Sequence, residues 1–201
     1  METNHGKTLG VLLAAGAGTR FRGPQHKLLT GLFGAPIVAS AFRAMSRAMP
    51  DVVVISGAVD LSSVSEITPV LHNPDWASGQ RSSVVAAIKF AQENNYAAIV
   101  IGLGDQPFIT PDAWIAVSSS DSPIAVATYD GYRGNPVRLH HSVWDMFLEL
   151  NSDPDSGARD LIHMHPELVQ EVACKGNSAD IDTTEDLDTL TYYTNSPFQF
   201  P

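Results

Sequence analysis

Cysteine is almost absent from the chain: Cys174 stands alone. That excludes an intrachain disulfide and a cysteine cluster for zinc, and leaves a small residue in a strand as its plain role. A reducing compartment fits. Basic residues are also scarce, 12 against 22 acidic ones, for a net charge of −10. So acidic a chain argues against a general nucleic-acid or anionic-membrane partner. No apolar run approaches the roughly 20 residues of a membrane-spanning helix. Residues 9–15 have the length of a signal-peptide core, but the flanking n-region is weak and no small-residue cleavage site follows. His26, His140, His141, His163 and His165 lack metal-ligand spacing and read as surface or packing residues. Two familiar phosphate loops are missing as well. The G-x-G-x-x-G fingerprint needs a third glycine where Phe21 stands, and the Gly-Lys-Ser/Thr ending of a P-loop is not found. There is no internal repeat and no low-complexity tract.

Hydrophobic residues make up 44% of the 201 positions. That suffices for a substantial core, and the chain reads as a single domain over 1–201 with 1–8 and 192–201 as peripheral tails. Buried strands are expected at 9–14, 52–55, 70–72 and 97–103, from short β-branched or apolar runs. Helices are expected at 35–49, 79–94, 110–117, 142–150, 157–163 and 184–190. Residues 123–128 and 136–139 flank a β-hairpin region, and 169–173 and Ile181 are candidate late strands. Strands alternating with helices predict an α/β fold with a mostly parallel sheet covered on both faces.

The stretch around which the chain is organised is residues 9–27, LGVLLAAGAGTRFRGPQHK. Gly16 and Gly18, just past the first strand, let the backbone approach a ligand without a Cβ penalty. Free N–H groups in such a loop line an anion-binding concavity. Arg20, Arg22 and Lys27 bring positive charge to the same place. Backbone donors with concentrated cations suit a polyphosphate; an ordinary strand-to-helix turn is the simpler alternative.

Four further stretches carry candidate chemistry. Asp105 follows the strongest strand, where open α/β sheets bind ligands. It is either a hard oxygen ligand for Mg²⁺ or a turn aspartate bonding its own backbone. Asp182 is either a second metal carboxylate or, like Thr183, a cap for the last helix, with Glu185 and Asp186 in its favourable first turn. Residues 72–83 form a polar loop entering a helix, a plausible nucleotide-binding edge, with Ser78 and Ser82 as alternative caps. Residues 133–136 and 155–159 read as a hairpin turn and a helix start, with Arg159 suited to a substrate phosphate.

The string Leu-Ala-Ala-Gly-x-Gly-Thr-Arg-Phe followed by Lys27-Leu28-Leu29 resembles the MobA-like nucleotidyltransferases, and within them the molybdenum cofactor cytidylyltransferases. Leu-Gly-Asp-Gln-Pro at 103–107 and Asp-Thr at 182–183 extend the resemblance to about Leu187. It implies a Rossmann-like three-layer fold of the nucleotidyltransferase type with a small β-hairpin insertion. It implies nucleotide contacts from Leu13, Ala14, Ala15, Gly16, Gly18, Thr19, Asn73, Gly79, Ser82 and Asp105. Arg20 and Lys27 become catalytic cations, Asp105 and Asp182 the Mg²⁺ ligands, and Arg133, Asn135 and Arg159 acceptor-side residues. The implied reaction is cytoplasmic transfer of CMP from CTP to the terminal phosphate of molybdopterin, with release of pyrophosphate. A molybdenum hydroxylase or its maturation factor would be the partner. Three alternatives stand beside it: transfer to another phosphorylated acceptor such as a sugar phosphate, an NAD(P)-dependent oxidoreductase, and a non-catalytic cofactor carrier.

Overall fold

The computed structural model describes residues 6–195. The first half holds β1 (Thr8–Ala14), β2 (Gly31–Leu32), β3 (Ala35–Pro36), α1 (Ile37–Ala48), β4 (Val52–Ser56), β5 (Val70–His72), α2 (Gln80–Glu93) and β6 (Ala98–Leu103). The second holds α3 (Pro111–Ser118), β7 (Ile124–Tyr129), β8 (Tyr132–His140), α4 (Trp144–Glu149), α5 (Arg159–Met164), β9 (Val169–Ala173) and α6 (Thr184–Asn195).

Seven strands form one sheet in the order β5-β4-β1-β6-β8-β7-β9. The β1 strand pairs in parallel with β4 and β6, β4 with β5, and β7 with β9; only β8 runs against its neighbours. This is the mostly parallel α/β sheet expected. The expected hairpin is β7–β8, and both strands lie within the main sheet. A separate small antiparallel pair is formed by β2 and β3.

Alternation along each strand sends successive side chains to opposite faces. On β1, Leu12 and Ala14 join a core with Val38, Phe42 and Met45 of α1 and Trp114 and Val117 of α3. Leu9, Val11 and Leu13 join the opposite core with Val84 and Ile88 of α2, Trp144 and Phe147 of α4 and Leu161 of α5. The helices thus cover both faces, and the strand ends stay open for loops.

Several local expectations are corrected. The first strand begins at Thr8, because β6 pairs with it there. The helix expected from Ala35 begins at Ile37, whose N–H donates to Thr30 O while Ala35 and Pro36 pair with β2. Ile181 lies in no strand. It is a fully buried plug whose N–H bonds Asp105 O. The last helix continues to Asn195. The expected tails at 1–5 and 196–201 lie outside the described residues. No helix among the described residues is long and apolar enough to cross a membrane.

Candidate active site

The carboxyl ends of β1 and β6 and the start of β8 open into a cavity of about 1110 Å³. Leu13, Ala14, Gly16, Gly18, Thr19, Arg20, Lys27, Asp105 and Asp182 line one side of it. Arg133, Asn135 and Arg159 line another part. Apolar side chains from the sheet and α2, among them Ile101, Val126, Val137 and Val84, lie between.

At the glycine-loop end Lys27 joins two segments remote in sequence. Its Nζ donates to Asp105 Oδ2 at 2.6 Å and to Asp182 Oδ1 at 2.7 Å. Arg20 reaches the other Asp182 oxygen at 2.8 Å. Burial pulls the Lys27 ammonium down, but Asp105 and Asp182 outweigh it and hold its pKa above the ordinary lysine value. Lys27 therefore stays charged while buried, since a paired charge escapes most of the desolvation cost. Arg20 is largely exposed, so its pair adds little stability and its guanidinium is available to a ligand.

Asp182 is free for this role because its neighbours cap the helix. Thr183 Oγ1 accepts from Asp186 N at 3.1 Å. Asp186 Oδ2 in turn accepts from Thr183 N and Asp182 N, at 2.8 and 3.0 Å. This is a capping box with aspartate in the position usual for glutamate. Of the two roles open to Asp182 in the sequence, the geometry gives the cap to Thr183.

The donor set fits a divalent ion of the magnesium type. Two carboxylates converge on one point, and magnesium takes one or two carboxylates, completing its shell with phosphate oxygens and waters. No three His, Cys, Asp or Glu among the described residues group to hold a metal by themselves. An ion here would therefore rely on ligand oxygens.

The loop entering α2 is placed differently from the expectation. Asn73 is buried, and its amide donates to Ser82 Oγ at 2.9 Å and Ser83 Oγ at 3.1 Å, while its carbonyl accepts from Asp75 N. Ser82 Oγ donates to Gly79 O. Gly79 packs on the 154–155 backbone, where an added Cβ would meet Pro154 O at 2.6 Å. None of Asn73, Gly79 and Ser82 lines the cavity; the α2 residues that do are Gln80 and Val84. The polar groups of this loop are spent on anchoring α2 to the end of β5. Ala15 is also turned away, its carbonyl accepting from Ala58 N.

On the far side, β8 bulges where Val126 faces Val137 but Ala127 faces Gly134. Bulges re-aim side chains, and Asn135 lies in this one, donating to Gln106 Oε1 at 2.9 Å. Gln106 Nε2 donates to Ser178 O and to Asp180 Oδ1. Burial, then the charge of Asp105, raise the Asp180 carboxyl above its ordinary value. Arg133 pairs with Glu171 at 2.7 Å, and Arg159 donates to Ser156 O and Asp155 O.

Sequence reasoning missed Gln106, Ser178, Asp180 and His26 as structural partners of this site. For Asp180 a signal existed, since Asp-Ile-Asp in an extended segment puts both acids on the side opposite a buried Ile181. For His26, whose ring bridges the glycine loop and the Lys27 turn, spacing offered none.

Residues 10–171 match the MobA-like NTP transferase domain. The nicotine blue oxidoreductase of Paenarthrobacter nicotinovorans is 32% identical over 195 residues, covering 89% of this chain and 93% of its own. A nucleotidyl transferase from Methanothermobacter superposes with a TM-score of 0.78 at 18% identity, over 94% of this chain and 99% of its own. Rv0371c of Mycobacterium tuberculosis, solved as a complex with manganese, gives a TM-score of 0.71 at 22% identity, over 92% and 98%.

Proposed function

Because the chain belongs to the MobA-like NTP transferase family, we propose that it transfers CMP from CTP to the terminal phosphate of a molybdopterin acceptor, releasing pyrophosphate. The observation that supports this most is the meeting of Lys27, Asp105 and Asp182 beside a glycine loop, at the end of one large cavity. Arg20 and Lys27 are placed to neutralise a triphosphate and a departing pyrophosphate. An acceptor phosphate oxygen attacks the α-phosphorus as the bond to the β-phosphate oxygen breaks. That oxygen is already anionic, so no strong side-chain base is needed, and rate comes from positioning and charge stabilisation. Mg²⁺, held by Asp105 and Asp182, would supply Lewis-acid charge neutralisation on the phosphates. The manganese complex of a relative in fold makes a divalent ion a consistent choice.

CTP is favoured by the Ala14-Ala15-Gly16 form of the loop, which resembles cytidylyl enzymes. Arg133, Asn135 and Arg159 line the part of the cavity left for an acceptor. A lone cysteine suits the reducing cytoplasm, and a molybdenum hydroxylase or its maturation factor would receive the product.

A second reading, hydride transfer with NAD(P)H, is favoured by one observation, the name borne by the 32% identical relative. Phe21 in place of the third fingerprint glycine counts against it. One experiment separates the readings. The protein is given CTP, GTP or ATP with Mg²⁺ and either molybdopterin or sugar phosphates, and pyrophosphate is measured beside NADPH oxidation. Pyrophosphate release with CTP and molybdopterin is expected. NADPH oxidation without pyrophosphate from any pair would overturn the transferase reading.

A further inference from the structure

The His26 ring touches two parts of the site at once. Its Nδ1 accepts from Leu28 N at 3.2 Å, capping the short turn that carries Lys27. An acceptor Nδ1 leaves the ring proton on Nε2, and Nε2 lies 3.1 Å from Gly16 O, so the ring donates to the glycine loop. The loop closes over it. Gly18 has a φ of +61°, and a Cβ there would come within 3.2 Å of His26 Nε2 and 3.1 Å of Lys27 Cγ. A trans peptide is planar, with its C=O and N–H pointing in opposite directions. Holding the Gly16 carbonyl against His26 therefore turns the Ala17 N–H the other way, and Ala17 lines the cavity.

We propose that His26 is a positioning residue for the polyphosphate: its neutral ring locks the Gly16–Ala17 peptide and the Lys27 turn into one rigid anion receptor. The inference rests on the nucleotide reading above. It makes loop order depend on the charge of the ring. A doubly protonated imidazole has no acceptor for the Leu28 N–H, so the clamp exists only while His26 is neutral. Its surroundings favour that form. Burial lowers the ring's pKa, the Gly16 carbonyl opposes this, and the Lys27 charge reinforces it. The facing loop carries Arg20 and Arg22 and no acidic residue between 15 and 23. A lowered pKa in the folded protein means the clamp is intact above the ordinary histidine value and is lost as pH falls through the lower, folded-state value.

The test is equilibrium binding of CTP, GTP and ATP with Mg²⁺ to wild type, His26→Phe and His26→Gln, from pH 8 down to pH 5. Thermal melting of each variant accompanies the titrations. His26→Phe keeps a flat ring without either hydrogen bond. His26→Gln keeps one donor and one acceptor. At pH 8 the tightest nucleotide should bind about tenfold more weakly to His26→Phe, the loss of two modest hydrogen bonds, with His26→Gln between. The ratio of His26→Phe to wild type should shrink toward one at pH 5, as wild type loses its own clamp. Titration of the nucleotide phosphates is common to all three proteins and cancels in that ratio. A folded His26→Phe protein binding as wild type does across the range, or a constant ratio at every pH, would overturn the positioning role and leave the nucleotide reading intact. If wild type binds no nucleoside triphosphate, both fall together. Should His26→Phe not fold, the folded His26→Gln variant decides, because a ratio for it that does not move with pH is equally fatal.

Discussion

Asp105 and Asp182 share one ammonium: Lys27 Nζ lies 2.6 Å from the first carboxylate and 2.7 Å from the second. The three side chains come from the turn after the glycine loop, the end of β6 and the segment before α6. Their meeting fixes the geometry of everything charged at that end of the cavity.

Lys27→Met should therefore separate catalysis from folding. The variant keeps the aliphatic stem but leaves two facing carboxylates, which raises the pKa of one of them. Nucleotidyl transfer should fall on the order of 100-fold or more, as when one stabilising group is taken from a transition state. Steady-state kinetics with circular dichroism on the same sample checks it; near wild-type turnover in a folded variant would remove Lys27 from the reaction.

Asp105→Asn and Asp182→Asn should each raise the Mg²⁺ concentration needed for half-maximal turnover, because each removes one of the two carboxylates that converge. Metal titrations of pyrophosphate release show the shift. An unchanged metal dependence in both variants would exclude a shared ion.

Asn73→Ala should act on stability and leave nucleotide affinity nearly unchanged. Its buried amide holds Ser82 and Ser83, and losing such bonds costs about 1–3 kcal/mol. Urea denaturation paired with nucleotide titration distinguishes this from a binding role, which would reverse the pattern.

Thr183→Ala should lower stability by about 1 kcal/mol, the typical worth of a helix cap. It should also weaken turnover more than that loss explains, since Asp182 N is tied into the same capping box. Turnover unaffected at a temperature where the variant is folded would show that Asp182 is placed without the cap.

Arg159→Ala and Arg133→Ala should raise the KM for the acceptor about tenfold each, with little change in that for the nucleotide, as expected when one charge-assisted contact to an anion is lost. Both side chains line the cavity away from the glycine loop. Initial rates with each substrate varied in turn give the two constants. A change confined to the nucleotide constant would put these arginines on the wrong substrate.

The sheet and the helices over it were legible because their signals are local. Runs such as 52–55 and 97–103 are β-branched and short, and Thr110-Pro111 announces a helix start that the structure keeps, with Thr110 accepting from Ala113 N. What stayed illegible depends on contacts far along the chain. Ile181 looks like a strand residue and is a plug, since one backbone bond to Asp105 is no ladder. Asn73 and Ser82 look like ligand contacts because polar side chains in a loop have no visible partner until α2 is folded against them. The assignment of the cap to Thr183 rather than Asp182 likewise needed Lys27, 155 positions earlier, to draw Asp182 away.

The direction of β8 has a consequence for how such a protein can change. A strand running against its neighbours begins where they end, so β7 and β8 need only a tight turn, Asp130 and Gly131, both at positive φ as hairpin turns of this kind require. Arg133 and Asn135 reach the cavity on that one contiguous ribbon, with no crossover helix behind them. The wall they form is thus an exchangeable cassette. Residues 129–135 can be lengthened, shortened or grafted from a related chain at a surface turn while the glycine loop, Lys27 and Asp105 keep their own supports.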